Sequence, residues 1–389
     1  MEAFSLLSMQ TPTLGQYPLP NLRSIHWVVA PWGAVPFLRL FLNPGLASVR
    51  INFPDNEPHP YRPATISLVP TEGLTDLELE CTESEDFPFD ALYDLLDGAS
   101  GTLRSISLDR ELSVAVAEKI LQLPNLRFLA AEMPKARISP PAVVFPSLEK
   151  LDVWYKEAGS WLHILQNIPN PALRELNVFF SGSSPIYLQT LGSSLLSANI
   201  EKTLVSLECY SKGIPLTEAG IRPLLSFGGL TELKLFHSCA AERCNVRLND
   251  SIISELAMAL PRLRSLFLGG HPCKTAASDV TVTSLVALSA SCINLDFLGL
   301  HFDANDIVTR HTHASSRIHK STCGLRTLSV GSQPLSSTND DILLVTFTIL
   351  HIFPHVENII SNSGPWKQVE RGIQLFRKAP MIIPLPGES

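Results

Sequence analysis

The chain has 389 residues, of which 45% are hydrophobic and 17% are charged, and its formal net charge is −7. This apolar content is enough for a large core and excludes wholesale disorder. A sequence-independent nucleic-acid binder needs a basic surface, which an acidic chain does not offer, so we expect no nucleic-acid partner.

The cysteines and the N-terminus bear on the compartment. Seven cysteines are present, and no CxxC motif occurs, which is typical of reduced intracellular thiols. The first residues, MEAFSLLSMQTP, lack the basic region of a signal peptide. The most apolar segment, 342–353, is too short to cross a bilayer. We therefore expect a cytoplasmic or nuclear protein with no membrane contact.

One pattern, apolar-x-x-apolar-x-apolar, recurs along nearly the whole chain. Its mean period of about 28 residues lies in the range of leucine-rich repeats. The thirteen copies begin at Leu22, Leu46, Leu74, Leu103, Leu126, Leu148, Leu173, Leu204, Leu230, Leu263, Leu295, Leu325 and Val356.

Each copy predicts a strand followed by a helix. The fourth and sixth residues alternate with polar ones, as in a strand. Apolar residues at helical spacing follow in segments 91–99, 114–123, 160–168, 218–227, 250–260 and 340–350. One unit cannot bury its apolar face alone, but stacked neighbours can. The sequence therefore predicts an α/β leucine-rich-repeat solenoid, a horseshoe of about thirteen irregular repeats with a parallel concave sheet and convex helices.

Residue types at the predicted helix ends support this assignment of strands and helices. Asn249 and Asp250 precede one predicted helix, and Asn339 and Asp340 precede another. Short polar side chains at these places cap the free backbone N–H groups of a helix.

Several copies share more than leucines. Pro-x-Leu-Arg opens repeats at 20–23, 124–127, 171–174 and 261–264, Trp27 ends the first strand, and PWKQVERGIQLF (365–376) closes the array. Over residues 20–376 the chain thus resembles leucine-rich-repeat proteins and, more narrowly, the repeat region of fungal F-box/LRR proteins. In that family the F-box docks on the adaptor of a cullin–RING ubiquitin ligase, and the repeats hold the substrate.

The resemblance implies a protein-interaction module for substrate recognition in an SCF-type ubiquitin ligase. No F-box is visible, and residues 1–19 are too few to form one. We therefore expect the F-box to be missing or degenerate, and the cullin adaptor to bind only if an F-box is supplied. The alternative is a non-ubiquitin leucine-rich-repeat scaffold, or an inhibitor that acts by occlusion.

The expected domains follow the array. Residues 1–19 form an N-terminal cap or remnant segment, 20–364 the solenoid, and 365–389 a C-terminal capping helix and tail. The chain departs from the family in one respect: the Asn or Cys expected three residues after the third leucine is absent from all thirteen repeats, and only Thr82, Ser181 and Ser238 could replace it well. Other groups must then satisfy the backbone.

The third, fifth and seventh residues of each strand point away from the core. There, acids outnumber bases, and aromatic residues follow in later repeats. We predict that this concave face binds a protein with a basic surface, since aromatics anchor interfaces and charges steer association. The competing interpretation is that the acids give solubility and that the aromatics pack on one another. The candidate residues are Asp76, Glu78, Glu80, Asp109, Glu132, Asp152, Trp154, Glu175, Phe179, Tyr210 and Phe236.

Signals for chemistry are weak, and we expect no enzyme, no cofactor and no metal. His311, His313, His319 and Cys323 lie in a polar segment typical of a loop, and Cys239 and Cys244 near His237 have no defined ligand spacing. No GxGxxG, Walker A, GxSxG or HExxH motif occurs. Glu78 and Glu80 could be drawn as an acid/base pair, but an open sheet face offers no desolvated pocket for one.

Overall fold

In the computed structural model the chain folds into two compact units. Unit 1 comprises Met1–Phe179 and Ser197–Thr203, and unit 2 comprises Phe180–Leu196 and Leu204–Ser389. The described residues are 19–28, 38, 40–53, 65–81, 87–139, 144–155, 162–165, 172–181, 187–212, 216–238, 247–270, 279–311, 321–331, 335–361 and 363–378.

The sheet of unit 1 contains seven strands, which lie side by side in chain order. The neighbouring pairs from β1·β2 to β5·β6 are parallel. The strands are β1 (Ser24–Val28), β2 (Ser48–Phe53), β3 (Asp76–Cys81), β4 (Ser105–Glu111), β5 (Phe128–Glu132), β6 (Lys150–Tyr155) and β7 (Glu175–Phe180).

The sheet of unit 2 contains six strands, again in chain order. Every neighbouring pair is parallel. The strands are β8 (Ser206–Lys212), β9 (Glu232–Ser238), β10 (Ser265–Gly270), β11 (Phe297–Leu300), β12 (Thr327–Gly331) and β13 (Asn358–Ser361).

Helices lie between most neighbouring strands from β3 onward, as parallel pairing requires a crossover connection. The α-helices are α1 (Phe89–Gly98), α2 (Val114–Leu121), α3 (Leu162–Leu165), α4 (Tyr187–Ser197), α5 (Glu218–Ile221), α6 (Asp250–Ala259), α7 (Val282–Ser291), α8 (Asn305–His311), α9 (Asn339–Ile352) and α10 (Gly364–Lys378). Short 3-10 helices lie at Ile200–Lys202 and Arg222–Ser226.

The leucines of the repeat pattern form the core. The strand leucines of the third, sixth, seventh, ninth, tenth and eleventh repeats are buried, as predicted. Complete burial of such a side chain contributes about 1.5–3 kcal/mol. They are Leu77, Leu79, Leu151, Leu176, Leu233, Leu266 and Leu298.

Polar side chains cap the N-termini of two long helices in unit 2. Asn249 caps α6, since its side chain accepts a hydrogen bond from the N–H of Ile252. The expected cap of α9 is wrong by one residue: Thr338 is the cap, and Asn339 is already helical. The Thr338 hydroxyl accepts a hydrogen bond from the N–H of Asp341. Asn339 is the first residue of the helix itself, so its side chain is not in the position from which an N-cap residue accepts this bond.

The last helix packs against α9 and β13. It buries Trp366, Val369 and Ile373 along one side, and its Glu370 side chain accepts a hydrogen bond from the N–H of Ile359 in β13 at 3.4 Å. An exposed strand edge carries unpaired backbone groups, so this contact removes one such donor from solvent.

The architecture confirms the coarse expectation from the sequence. The chain is an α/β protein whose parallel strands alternate with helices, and within each unit this repetition is consistent with a solenoid. No helix among the described residues combines the length and the apolar character needed to cross a membrane.

Candidate functional site

The outward side chains of β2–β7 in unit 1 form a surface that we call the acid face. It carries seven carboxylates against two basic side chains, Arg50 and Lys150. The strand register aligns these positions in rows, for example Ser48, Asp76 and Ser105. The carboxylates are those of Asp76, Glu78, Glu80, Asp109, Glu132, Asp152 and Glu175.

Both bases of the acid face are held by neighbouring acids. The Arg50 Nε lies 3.3 Å from a Glu78 oxygen, and the guanidinium also donates to Glu80. Asn52 donates a second hydrogen bond to Glu80 at 2.6 Å. These pairs join β2 to β3. Because the carboxylates outnumber the two bases, the face keeps a net negative charge.

The pair Glu78 and Glu80 does not form an isolated acid/base couple. Burial raises the pKa of Glu78, the positive charge of Arg50 lowers it, and the charge of Glu80 raises it again. The net direction is upward. Arg50 contacts both carboxylates, so the cluster is a cross-strand ion-pair network at the edge of the face.

The pairing of β4 with β5 is irregular next to Asp109. The register shifts between Leu108 and Glu111, so that Glu111 lies opposite Glu132. Asp109 and Arg110 of β4 therefore lie between two paired positions and have no residue in register on β5, as in a β-bulge. Asp109 is exposed at the shift, and Glu111 joins the row of Glu132, which the sequence pattern alone did not indicate.

Three contacts link outward side chains of β6 and β7, among them four of the predicted residues. Lys150 pairs with Glu175 at 3.2 Å, and Asn177 donates to Asp152 at 2.7 Å. Two residues further along, the rings of Trp154 and Phe179 stack with centroids 5.0 Å apart and planes 15° apart. Trp154 remains 36% exposed.

Unit 2 carries a row of four stacked rings, the aromatic row, made of Tyr210, Phe236, Phe267 and Phe297. The centroid distances along the row are 4.3, 4.6 and 6.4 Å. Of these, Tyr210 and Phe236 were predicted as binding residues. All four rings are half-buried, and each inner ring has neighbours on both faces. Packing of the rings on one another across neighbouring strands therefore accounts for much of this row.

Polar groups flank the first two rings of the aromatic row. The Tyr210 hydroxyl donates to Glu208, and Lys234 pairs with Glu232 at 3.1 Å and Glu208 at 3.7 Å. Burial, followed by the Glu208 hydrogen bond and charge, raises the pKa of Tyr210 to about 12. Burial disfavours the charged form of Lys234, but the hydrogen bond and charge of Glu232, together with Glu208, raise its pKa overall.

A cavity of about 20 Å³ lies beside this cluster, lined in part by Cys209, Tyr210, Phe236 and His237. That volume suits one water molecule rather than a substrate. Burial raises the pKa of the Cys209 thiol. It also raises the pKa of the Cys292 thiol, to about 12. Thiols of this kind are protonated at neutral pH and unreactive.

The candidate metal ligands from the sequence are only partly described. His313, His319, Cys239, Cys244 and the His311 side chain lie outside the described residues. Cys323 is buried, and its thiol donates to the Cys292 carbonyl at 3.5 Å. Among the described parts of the chain, no group of three or more potential ligands is placed to hold a metal ion.

The acid face and the aromatic row are thus the two surfaces at which side-chain chemistry is concentrated. The first combines a surplus of carboxylates with a partly exposed indole, whereas the second is a stack of half-buried rings flanked at one end by Glu208, Glu232 and Lys234. Comparison with known proteins adds no assignment: no protein-family model matches the sequence, and no curated protein matches it either.

Proposed function

We propose that this chain is a protein-interaction module of the leucine-rich-repeat kind, which holds a partner with a basic surface against the acid face of unit 1. The observation that carries the proposal is the stack of Trp154 on Phe179 among carboxylates that outnumber the bases. Exposed tryptophans are enriched among interface hot spots, and surrounding charges accelerate association.

The competing explanation, solubility plus ring packing, accounts for less of this surface. Packing on Phe179 covers one side of the indole, yet Trp154 keeps 36% of its surface exposed. Solubility requires charge, but it gives no reason for a large, partly exposed apolar ring on a charged face. A partner that covers the indole and neutralises the acids explains both features together.

Within this class, we propose substrate recognition of the F-box/LRR kind, in the cytoplasm or nucleus, with the F-box missing or degenerate. The support is the sequence resemblance, above all the Pro-x-Leu-Arg repeat openings. The role is binding rather than catalysis, because Arg50 already occupies the paired carboxylates of Glu78 and Glu80. A scaffold or an occluding inhibitor would use the same surface.

Quantitative affinity purification from a eukaryotic lysate tests the binding surface. The baits are the unmodified chain, Trp154→Ala and Met258→Ala. Met258 is the matched control, since it is a 68% exposed apolar residue on α6. We expect a set of basic proteins that Met258→Ala retains and Trp154→Ala loses. Retention by both variants, or loss with Met258→Ala alone, would contradict the proposal.

The same experiment separates the ligase role from the scaffold role. If the protein recognises ubiquitination substrates through a partner that supplies an F-box, the cullin adaptor appears in the purified set together with that partner. If substrates of the acid face are recovered without ligase components, and their ubiquitination does not change when the chain is removed from cells, the scaffold or inhibitor role replaces the ligase role.

A further inference from the structure

Two helices of unit 2 that pack on each other, α9 and α10, carry exposed apolar side chains. On α9, Leu343 and Phe347 lie one turn apart, and both are exposed. On α10, Leu375 is 68% exposed. The rings of Phe347 and Phe376 meet where the helices touch, with centroids 4.7 Å apart. These four residues, which we call the α9–α10 patch, place apolar surface on both sides of the contact between the helices.

The α9–α10 patch departs from what the last helix of a solenoid normally presents. Such a helix needs a polar outer face for solubility. Single exposed apolar residues are ordinary, and other helices of this chain have them, for example Tyr93 on α1 and Met258 on α6. In contrast, α9 exposes two such residues one turn apart, and the helix packed against it exposes a third. Clustered exposure of this kind is typical of an interaction surface.

The charges around Leu375 are positive. Arg371 lies one turn before it on α10 and Lys378 one turn after it, and residues three or four apart are neighbours on a helix surface. Both basic side chains are exposed. Within the described parts of the chain, neither pairs with a carboxylate, whereas the adjacent Arg377 pairs with Glu357 at 3.1 Å. The patch therefore combines apolar surface with two cations that are available to a partner.

We propose that the α9–α10 patch binds an acidic amphipathic helix of a protein partner. The apolar side of that helix covers Phe347 and Leu375, and its carboxylates pair with Arg371 and Lys378. Recognition of an amphipathic helix by an apolar surface recurs among proteins and uses anchors at i, i+3 or i+4, and i+7. The patch lies within unit 2, so this inference goes beyond the proposed function and does not depend on the acid face.

Charge complementarity favours this occupant over two others. A second copy of the chain would present the same patch, so Arg371 and Lys378 would meet like charges across a two-fold interface. Anionic membranes are recognised by clusters of about four to eight basic residues, and the patch offers fewer. An acidic helix supplies the charges that the patch lacks.

Fluorescence anisotropy with the full chain and three labelled, blocked peptides tests the site. Each peptide has about fourteen residues, enough for four helical turns. The first has leucines at i, i+3, i+4 and i+7 and glutamates elsewhere. Glutamine replaces glutamate in the second, and serine replaces leucine in the third. We expect the first peptide to bind saturably and the other two to bind more weakly, by about threefold or more. If the second or the third peptide bound as well as the first, the proposal would be overturned.

Four variants locate the binding of the first peptide. Leu375→Ser should weaken it by about tenfold or more, because an apolar side chain no longer becomes buried. Arg371→Glu should weaken it by about threefold or more. Met258→Ser is the matched control for the apolar change, since Met258 is also 68% exposed on a helix of unit 2. Arg264→Glu, at another exposed arginine of unit 2, is the control for the charge. Circular dichroism checks that each variant is folded.

The remaining outcomes assign the patch to other occupants or remove it. Unchanged peptide binding in Leu375→Ser, or equal losses in Leu375→Ser and Met258→Ser, would overturn the site. Co-sedimentation with vesicles of equal parts phosphatidylcholine and phosphatidylserine that Leu375→Ser abolishes would assign the patch to a membrane. A dimer in light scattering that Leu375→Ser dissociates would assign it to a second copy. Each of these results leaves the proposed function standing, because that function is tested at Trp154.

Discussion

Gly299 occupies a position in β11 where a larger residue does not fit. A Cβ at this position would lie 2.1 Å from the Cδ2 atom of Phe267, which stands directly opposite on β10. Phe267 in turn stacks between Phe236 and Phe297. Because glycine has no side chain, Gly299 leaves the space that the Phe267 ring occupies in the aromatic row.

We predict that Gly299→Ala destabilises the protein by about 1–3 kcal/mol, the range for inserting atoms into a packed site. Chemical denaturation monitored by circular dichroism measures the change. Gly101→Ala is the control, because no atom lies within 4 Å of its added Cβ. The double variant with Phe267→Leu should recover part of the loss. Equal stability of Gly299→Ala and Gly101→Ala would show that the row tolerates the methyl group.

The Tyr210 hydroxyl offers a spectroscopic measure of the polar cluster beside the aromatic row. Its pKa is raised to about 12 by burial and by Glu208, against an ordinary value of 10. The folded state thus holds this proton more tightly than the unfolded state does. Its contribution to stability is complete below pH 10 and is lost as the pH rises from 10 toward 12.

An ultraviolet difference titration between the unmodified chain and Tyr210→Phe isolates this ionisation. We expect a midpoint well above 10 and near 12. Glu208→Gln should lower the midpoint, since it removes the negative charge beside the phenol while burial remains. A midpoint at 10 in the unmodified chain would mean that the hydroxyl is open to water and that the cluster is not formed.

At the scale of elements, Asp250 links two successive helices of unit 2. It lies at the start of α6 and accepts three hydrogen bonds from the start of the next repeat. Its carboxylate binds the Thr281 N–H at 2.7 Å, the Thr281 hydroxyl at 2.6 Å and the Ser284 hydroxyl at 2.6 Å. One side chain thereby sets the spacing between α6 and α7.

We predict that Asp250→Ala lowers the free energy of unfolding by about 2–3 kcal/mol, because it leaves the donors of half-buried Thr281 and buried Ser284 without their charged acceptor. Asp340→Ala, an exposed residue in the first turn of α9, is the comparison and should cost less than about 1 kcal/mol. A double-mutant cycle with Ser284→Ala should show coupling. Additive effects in that cycle would contradict the link between repeats.

The elements differ in how far the sequence determines them. Leucine alternation identifies strands such as Asp76–Cys81, because burial on one side of a strand has a period of two. The register shift in β4 leaves no comparable trace, since Asp109, Arg110 and Glu111 are all compatible with an outward position. For α9, Thr338 and Asn339 are both good caps, and only the backbone geometry distinguishes them.

At the scale of the molecule, the outward side chains of the two units differ in charge. In unit 1 this face carries the seven predicted carboxylates and Glu111. In unit 2 the charges Glu208, Glu232 and Lys234 lie on β8 and β9, whereas β10–β12 present Ser265, Gly269, Thr327, Ser329 and Gly331. This contrast could be predicted from strand positions alone. Which acids are paired, and which rings stack, depends on contacts between strands far apart in sequence, and these required the structure.

The central claim is that the acid face binds a protein partner, and site-specific photo-crosslinking tests it most directly. Ser107 is an outward, half-buried residue of β4 within that face, and Met258 is an exposed residue of α6. Each is replaced in turn by p-benzoylphenylalanine, and the chain is irradiated in living cells. The account predicts that the Ser107 position captures the same basic protein that Trp154→Ala loses, and that the Met258 position does not. Capture of that protein from Met258 alone would contradict it.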